Sequence, residues 1–417
     1  MFIARSGWGA PRFAWGARSL GRSAVKLVKA LKAAAWISAA AWLGLVVARG
    51  RFWDSRADGL RDPAPGDPAP DVHAVVPARN EADVIAQTLS SLLAQRYPGR
   101  FAITLVDDRS DDGTGAVARA TIAASAAQHS ATVVDGTPTP DGWTGKVWAL
   151  ASGVEAARGA GPRPVFWWFT DADVEHDPRT LARLVATALG ERRALVSQMV
   201  ALHSVTPWER LLIPAFVFFF RMLYPFAWVN DDRRATAGAA GGCVLIADEA
   251  LRGIGGLERI KDELIDDCAL ATAVKAQGGG LRLELTTRSR SVRPYRSLEE
   301  IWSMVARTAY TQLRYSPLLL AGTVAGMLLL SYVPVAATFA GARRRRADVA
   351  FPGIIAWGTM ALAYAPTLRL YGMRPMNALA LPLAALLYTG MTIDSARRHL
   401  RGAGGAWKGR TFRPERR

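Results

Sequence analysis

Long apolar runs stand near both ends of this chain, and they constrain its fold more than any other feature. Leu31 to Ala48, Leu318 to Ala340, Phe351 to Leu368 and Met376 to Ile393 each hold 18 or more mostly apolar residues. That is roughly the length that crosses about 30 Å of hydrocarbon. The sequence between the first and second runs is ordinary and mixed. The chain therefore reads as a basic arm (1–30), a transmembrane helix (31–48), a linker (49–71), a folded domain (72–316), about three transmembrane helices (317–394) and a basic tail (395–417). The arm is too long for an ordinary signal peptide.

A net charge of +17 raises nucleic acid as a partner. Much of that charge flanks the apolar runs, at Arg18, Arg22, Lys26, Lys29 and Lys32, at Arg343 to Arg346, and at Arg397 to Arg417. Basic residues so placed face anionic headgroups, so a membrane is expected and nucleic acid is not. Two cysteines, Cys243 and Cys268, with no CxxC spacing, argue against a disulfide framework or a zinc site.

Asp58 to Asp71 is rich in Pro, Asp and Gly, as linkers are. Strand-like runs then alternate with helical periodicity: Val72–Val76, Ala102–Val106, Ala131–Val134 and Val165–Phe169 against 81–95, 116–127 and 146–158. Such alternation predicts an α/β domain with a mostly parallel sheet covered on both faces. Ligands of such sheets bind beyond the carboxyl ends of the strands. Three strands end there in polar clusters: Pro77 to Glu81, Asp107 to Ser110, and Asp171-Ala172-Asp173.

Asp171 and Asp173 can present two carboxylates to one Mg²⁺ or Mn²⁺, with substrate phosphate oxygens completing the shell. Asp107 and Asp108 offer acceptors for a base edge and ribose hydroxyls, while Asp111 suits the cap of the next helix. Gly142 to Lys146 places a lysine at a helix start, where it can meet phosphate, but lacks P-loop spacing. Asp266 and Asp267 open another helix, which suits the helix dipole and equally suits a general base. Spacing alone does not separate the two. Arg314, just before the second apolar run, can hold a leaving diphosphate or reach for headgroups.

In this order the pieces resemble family 2 of glycosyltransferases, over about Val72 to Tyr315. Pro77 to Glu81 match the family's opening P-x-x-N-E, Asp107 to Thr114 its nucleotide loop, Asp171 to Asp173 its metal motif, and Asp266-Asp267 its base-bearing acidic pair. Gly142 to Lys146, Gly241 to Cys243, Leu264 to Asp267 and Gln312 to Tyr315 are similar to the bacterial hopene-associated glycosyltransferases, themselves related in layout to ceramide glucosyltransferases. The resemblance implies a Rossmann-like GT-A fold with flanking transmembrane helices. It implies inverting transfer of a sugar from a nucleotide sugar, a UDP-sugar, to a lipid acceptor such as a hopanoid. The setting it implies is the cytoplasmic face of a bacterial inner membrane.

Residue by residue, it implies Glu81 and Asp108 at the nucleoside, with Pro77, Asp107, Gln312, Arg314 and Tyr315 in the same donor site. Lys146 and Asp171 would contact phosphate, Asp171 and Asp173 the metal, and Asp267 would be the base, with Asp266 beside it. Two departures matter. Processive members carry Q-x-x-R-W where this chain has Thr311 to Tyr315, which favours one sugar over a polymer. The acidic pair also has Asp266 in place of the usual glutamate.

The stretch 211–229 is apolar and aromatic but contains Pro214, Arg221 and Pro225. A crossing there would put Asp171 and Asp173 on the opposite side from Asp267, so the expectation is an interfacial segment. A cytoplasmic domain also leaves Met1 to Lys32 and Arg343 to Arg346 outside, against the positive-inside tendency. Either one run does not span, or the ends rest on the interface. The competing readings are a polysaccharide synthase and a catalytically silent membrane scaffold.

Overall fold

The computed structural model describes residues 16–126, 129–402 and 404, so the start of the basic arm and most of the basic tail lie outside the described residues. Helix α1 is Gly16–Ala48. The strands that follow are β1 (Val72–Ala78), β2 (Phe101–Asp107), β3 (Ser130–Asp135), β4 (Phe166–Thr170), β5 (Val174–Glu175), β6 (Leu195–Ala201), β7 (Cys243–Ala247) and β8 (Leu281–Ser291). Between and after them come α2 (Ile85–Leu93), α3 (Thr114–Ala124), α4 (Gly145–Ala160), α5 (Thr180–Gly190), α6 (Pro207–Leu223), α7 (Phe226–Val229), α8 (Asp248–Gly253), α9 (Asp266–Ala276) and α10 (Leu298–Gln312). The last helices are α11 (Pro317–Met327), α12 (Val333–Arg343), α13 (Ala347–Leu370) and α14 (Leu381–Leu400). The described residues form two compact units, one built from residues up to Gly44 with Ala325–Met360, the other from Leu45–Val324 with the residues from Ala361 onward.

In the larger unit the strands pair in the order β3-β2-β1-β4-β7-β6-β8-β5. β1 with β2, β2 with β3, β1 with β4, and β6 with β8 run parallel. β7 is antiparallel to β4 and β6, and β5 to β8. The sheet is therefore mixed, more so than the alternation of strands and helices suggested, because β7 enters from a long excursion after β6 and runs backwards. One consequence locates the site. The carboxyl ends of β1, β2, β3, β4, β6 and β8 and the amino end of β7 all lie at one edge.

The central strands β1, β2, β4, β6 and β7 are buried on both faces, as expected beneath two helical layers. Alternate residues point to opposite sides. Val76, Leu105 and Trp168 pack with Ile85 and Leu89 of α2 and Leu181 and Leu184 of α5. Val75, Val106 and Trp167 pack with Leu150 and Val154 of α4 and Leu270 of α9. Helix α4 comes close to the sheet at Gly153, where a Cβ would collide with the side chains of Val75 and Val106.

The segment 49–71, expected to be a linker, is packed against this unit. Phe52 and Leu60 are buried. Asp58 accepts from the Thr286 hydroxyl at 2.6 Å, and Arg183 donates to the carbonyls of Asp58 and Leu60 at 2.8 and 2.5 Å. Its prolines and glycines make an extended strap whose two apolar residues anchor it.

Among the described residues five helices are long and apolar enough to cross a membrane: Val25–Ala48, Pro207–Val229, Pro317–Arg343, Ala347–Leu370 and Pro375–Leu400. The second lies between β6 and β7, which are paired neighbours, so its ends return to one side of the sheet. A single crossing is therefore excluded for Pro207–Val229.

In the smaller unit, Ala35, Ala337 and Val349 form a buried cluster, and Lys32 pairs with Asp348 at 3.1 Å. Pro334 has no N–H for the carbonyl of Leu330 four residues before it. A π turn occupies Leu328–Tyr332, and the Trp42 indole donates to the Leu330 carbonyl at 2.8 Å, satisfying a group otherwise stranded among apolar side chains.

Gly153→Val drives a branched side chain between α4 and the sheet and is expected to cost about 1–3 kcal/mol. The check is a lowered unfolding midpoint in detergent, against a midpoint no lower than the wild type's for Gly159→Ala near the exposed end of α4, where a Cβ meets nothing within 4 Å.

Candidate active site

A cavity of about 1040 Å³ opens at the strand-end edge. Pro77 near the end of β1, Asn80 and Glu81 after it, Asp112 before α3, Thr139 to Lys146 running into the start of α4, and Asp171 to Asp173 after β4 form its acidic side. Asp266 at the start of α9, Arg293 to Arg296 after β8, and Ser303, Met304 and Arg307 of α10 complete it.

The loop after β4 is held from three directions. The Thr88 hydroxyl donates to the Ala172 carbonyl at 2.6 Å, that of Thr170 to the Gly242 carbonyl at 2.9 Å, and the Val292 amide to the Asp173 carbonyl at 2.8 Å. His176 lies beneath, with Nε2 2.8 Å from the Thr170 hydroxyl and Nδ1 3.1 Å from that of Ser289. Burial lowers His176 to about 3, against the pull of Asp171, so the imidazole is neutral.

Two cations hold the acids. Lys146 Nζ is 2.9 Å from Asp171 and 3.4 Å from Asp266. Burial works against its charge, yet Asp171, Asp266 and Asp267 outweigh that and keep the ammonium well above the usual lysine range. Arg293 Nε is 3.1 Å from Asp173, and its Nη2 pairs with Glu81. Gly241 must be small here, since a Cβ would stand 3.0 Å from Lys146 Nζ and 3.3 Å from the Asp267 carboxylate.

The acidic pair divides its tasks. Asp266 lines the cavity. Asp267 lines a smaller void behind it, and its two oxygens accept from the amides of Gly241 and Cys268, each at 2.7 Å. Burial, with the adjacent charge of Asp266, raises Asp267 to about 6, against Lys146 and the two amides.

Of the residues singled out in the sequence, Pro77, Glu81, Lys146, Asp171, Asp173 and Asp266 meet at this cavity. Asp107 and Asp108 do not line it. Asp107 is tucked against Gly115 and accepts from the Ser110 amide at 3.1 Å, and Asp108 is buried. Their loop contributes Asp112, which accepts from the amides of Ala82 and Thr114, both at 3.0 Å. The cap expected of Asp111 is not made: Gly113, with a positive φ, is the N-cap and no side chain caps the helix.

Gln312, Arg314 and Tyr315 also lie off the cavity. α10 ends at Gln312, which accepts from the Tyr224 hydroxyl at 2.9 Å. Arg314 and Tyr315 take left-handed backbone angles that turn the chain into α11. Arg314 is exposed, and Tyr315 stacks on His399 at 4.3 Å. Sequence reasoning missed Arg293, Tyr295 and Arg307. The one local signal was the end of a strand at Pro294.

The donor set fits a divalent cation of the Mg²⁺ or Mn²⁺ type, since Asp171 and Asp173 are hard oxygen ligands facing one cavity. Among the described residues no group of three or more His, Cys, Asp or Glu could hold a metal unaided. A cation here takes its other ligands from substrate and water.

This sheet is the GT-A fold of glycosyltransferases. A mannosyltransferase from Pyrobaculum calidifontis, solved in complex with GDP-Man and Mn²⁺, superposes with a TM-score of 0.51 at 20% identity, covering 89% of this chain and 99% of that one. Residues 73–255 match the model of glycosyl transferase family 2, so the chain carries a family 2 glycosyltransferase domain. Lower similarity extends to glucosyl-3-phosphoglycerate synthase from Mycobacterium tuberculosis in complex with Mn²⁺ and UDP-Glc, at 17% identity and TM-score 0.37 over 59% of this chain and 78% of that one. It extends also to mannosyl-3-phosphoglycerate synthase from Rubrobacter xylanophilus, at 19% and 0.34 over 59% and 74%. No curated protein matches the chain.

The neutral His176 gives a pH prediction. Its folded pKa lies below the ordinary value of about 6.5, so the stability it contributes is present above that pH and is lost as pH falls toward 3. Between pH 7 and 5 the unfolding free energy in detergent should fall more steeply for the wild type than for His176→Asn.

Proposed function

We propose that this protein transfers a single sugar, with inversion, from a nucleotide sugar to a lipid acceptor at a membrane surface. The observation that carries this is the meeting, in one cavity, of the Asp171/Asp173 pair, Lys146 and Asp266 with the wall formed by α10, four residues before the apolar helix α11. The motif resemblance favours a UDP-sugar as donor and a hopanoid or similar polycyclic lipid as acceptor. The bacterial inner membrane, with the domain on the cytoplasmic side, is the setting that supplies such a donor.

In this reading Asn80, Glu81 and Asp112 face the nucleoside end of the donor, and Asp171 and Asp173 hold Mg²⁺ or Mn²⁺. A divalent ion, when bound, neutralises charge on the departing nucleoside diphosphate. Lys146 stands where it can add a fixed positive charge to the same oxygens. The acceptor hydroxyl attacks the anomeric carbon as the bond to the diphosphate breaks on the opposite face, and the hydroxyl proton passes to a carboxylate. The resemblance points to Asp267 for that carboxylate. The geometry favours Asp266, which reaches the cavity, while Asp267 is committed to two backbone amides and positions Gly241 and Lys146.

Isothermal titration of detergent-purified protein with nucleoside diphosphates and their sugars should show binding that needs Mn²⁺ and is lost in Asp173→Ala. A folded wild type that binds no nucleotide sugar favours the scaffold. Asp266→Asn should lower kcat by about 10²-fold or more with donor binding kept; an equal loss in binding would reject the base assignment.

Asp267 must be ionised to hold the Gly241 and Cys268 amides in place, so kcat should rise with pH through about 6. Lys146 lowers that carboxyl, so Lys146→Gln should move this limb to higher pH, which the kcat–pH profile would show.

A further inference from the structure

Helix α14 belongs to the segment Pro375–Leu400, which has the length and composition of a membrane span. Its packing is not that of a span. Gly390 lies against the Trp302 ring, where a Cβ would stand 2.9 Å away. The Trp302 indole donates to Asp394 at 2.9 Å, the Tyr310 amide to the Ser395 hydroxyl at 3.0 Å, and His399 stacks on Tyr315. These contacts advance along α10 from Trp302 past Tyr310 as they advance along α14 from Gly390 to His399, so the two helices run side by side. The other face of α10, with Glu300, Ser303 and Arg307, lines the polar cavity. α10 therefore sits at the water boundary, and the second half of α14 sits with it.

What remains of the segment, the 3₁₀ stretch Pro375–Ala380 and residues 381–389 of α14, rises about 25 Å even if the two parts are collinear, short of the roughly 30 Å of hydrocarbon. Even this part is tied to the domain, since the Tyr388 hydroxyl donates to the Leu212 carbonyl of α6 at 2.9 Å.

The outward face of α14 is apolar. Leu383, Leu386, Ile393 and Leu400 are exposed, at 52%, 52%, 47% and 79%. With Arg397 they fall on about a 100° arc of the helix. The stripe ends among Arg397, Arg398 and Arg401, a charge suited to anionic headgroups. Its neighbours enter apolar helices at once: α10 is followed four residues later by α11, and α13 ends at Leu370, packed with Met199 and Leu285.

We infer that α14 lies flat in the headgroup and upper acyl region of the leaflet next to the sheet domain, and does not cross the bilayer. Arg397, Arg398 and Arg401 then stay on the catalytic side. That also removes one basic cluster from the outside, where a spanning α14 would place it against the positive-inside tendency. The inference does not depend on which reaction the cavity performs.

The test is a depth measurement on the full chain in liposomes. Single variants Leu383→Cys, Leu386→Cys, Ile393→Cys and Leu400→Cys are labelled with an environment-sensitive fluorophore and quenched by lipids brominated at graded depths. Cys243 and Cys268 are buried, and the unsubstituted chain, labelled in parallel, gives the background. All four positions should report one shallow depth. A depth that passes through the bilayer centre between Leu383 and Leu400 would overturn the inference in favour of a span. Absence of quenching at all four would overturn it in favour of an aqueous helix.

Discussion

Carboxylates crowd one edge of the sheet, and two cations counter that crowding. Asp171, Asp266 and Asp267 surround Lys146, while Glu81 and Asp173 share Arg293. Without those partners the acids would repel one another across a partly desolvated cavity, and some would take up protons at neutral pH. Burial, with the charge of Asp266, keeps the Asp267 carboxyl raised even with Lys146 in place. An edge built this way favours additional positive charge, and it favours ligands that bring a cation with them.

The fold places the acids there by topology. Six strands deliver their carboxyl ends to one edge, and β7, running backwards between β4 and β6, delivers Gly241 to the same place. Gly241 allows Lys146 and Asp267 to approach from opposite directions. On the far side the Glu209 carboxylate accepts from the Tyr295 amide at 2.6 Å and closes the capping box at the start of α6. The cavity wall after β8 is thus tied to the helix α6, which also packs against α14.

Much of this was legible in the sequence where local pattern and tertiary structure agree. The runs at Val72, Ala102, Ala131 and Val165 are strands within two residues of their expected bounds, because each is a short, mostly apolar run bounded by polar or turn residues. The polar clusters that end β1 and β4 reach the site, as the strand-end rule predicts. The direction of β7 was not legible, since Cys243–Ala247 reads the same in either orientation. Arg293 was not legible either: a single arginine after a strand acquires meaning only when β8 is seen beside Asp173. Gln312 to Tyr315 lie off the cavity, and the turn there was not legible for a related reason, as Arg314 and Tyr315 take left-handed angles unannounced by glycine. The strap 49–71 showed its prolines plainly and its anchors, Phe52 and Leu60, hardly at all.

The central claim is that Asp171 and Asp173 bind a divalent cation together with a nucleoside diphosphate. Phosphorus NMR relaxation of UDP, titrated with protein and trace Mn²⁺, measures that directly. The account predicts strong paramagnetic broadening of both phosphate signals with the wild-type protein, beyond that of Mn²⁺ and UDP alone, and its loss in Asp171→Asn. Broadening that is the same with the wild type, with the variant and with no protein would contradict it.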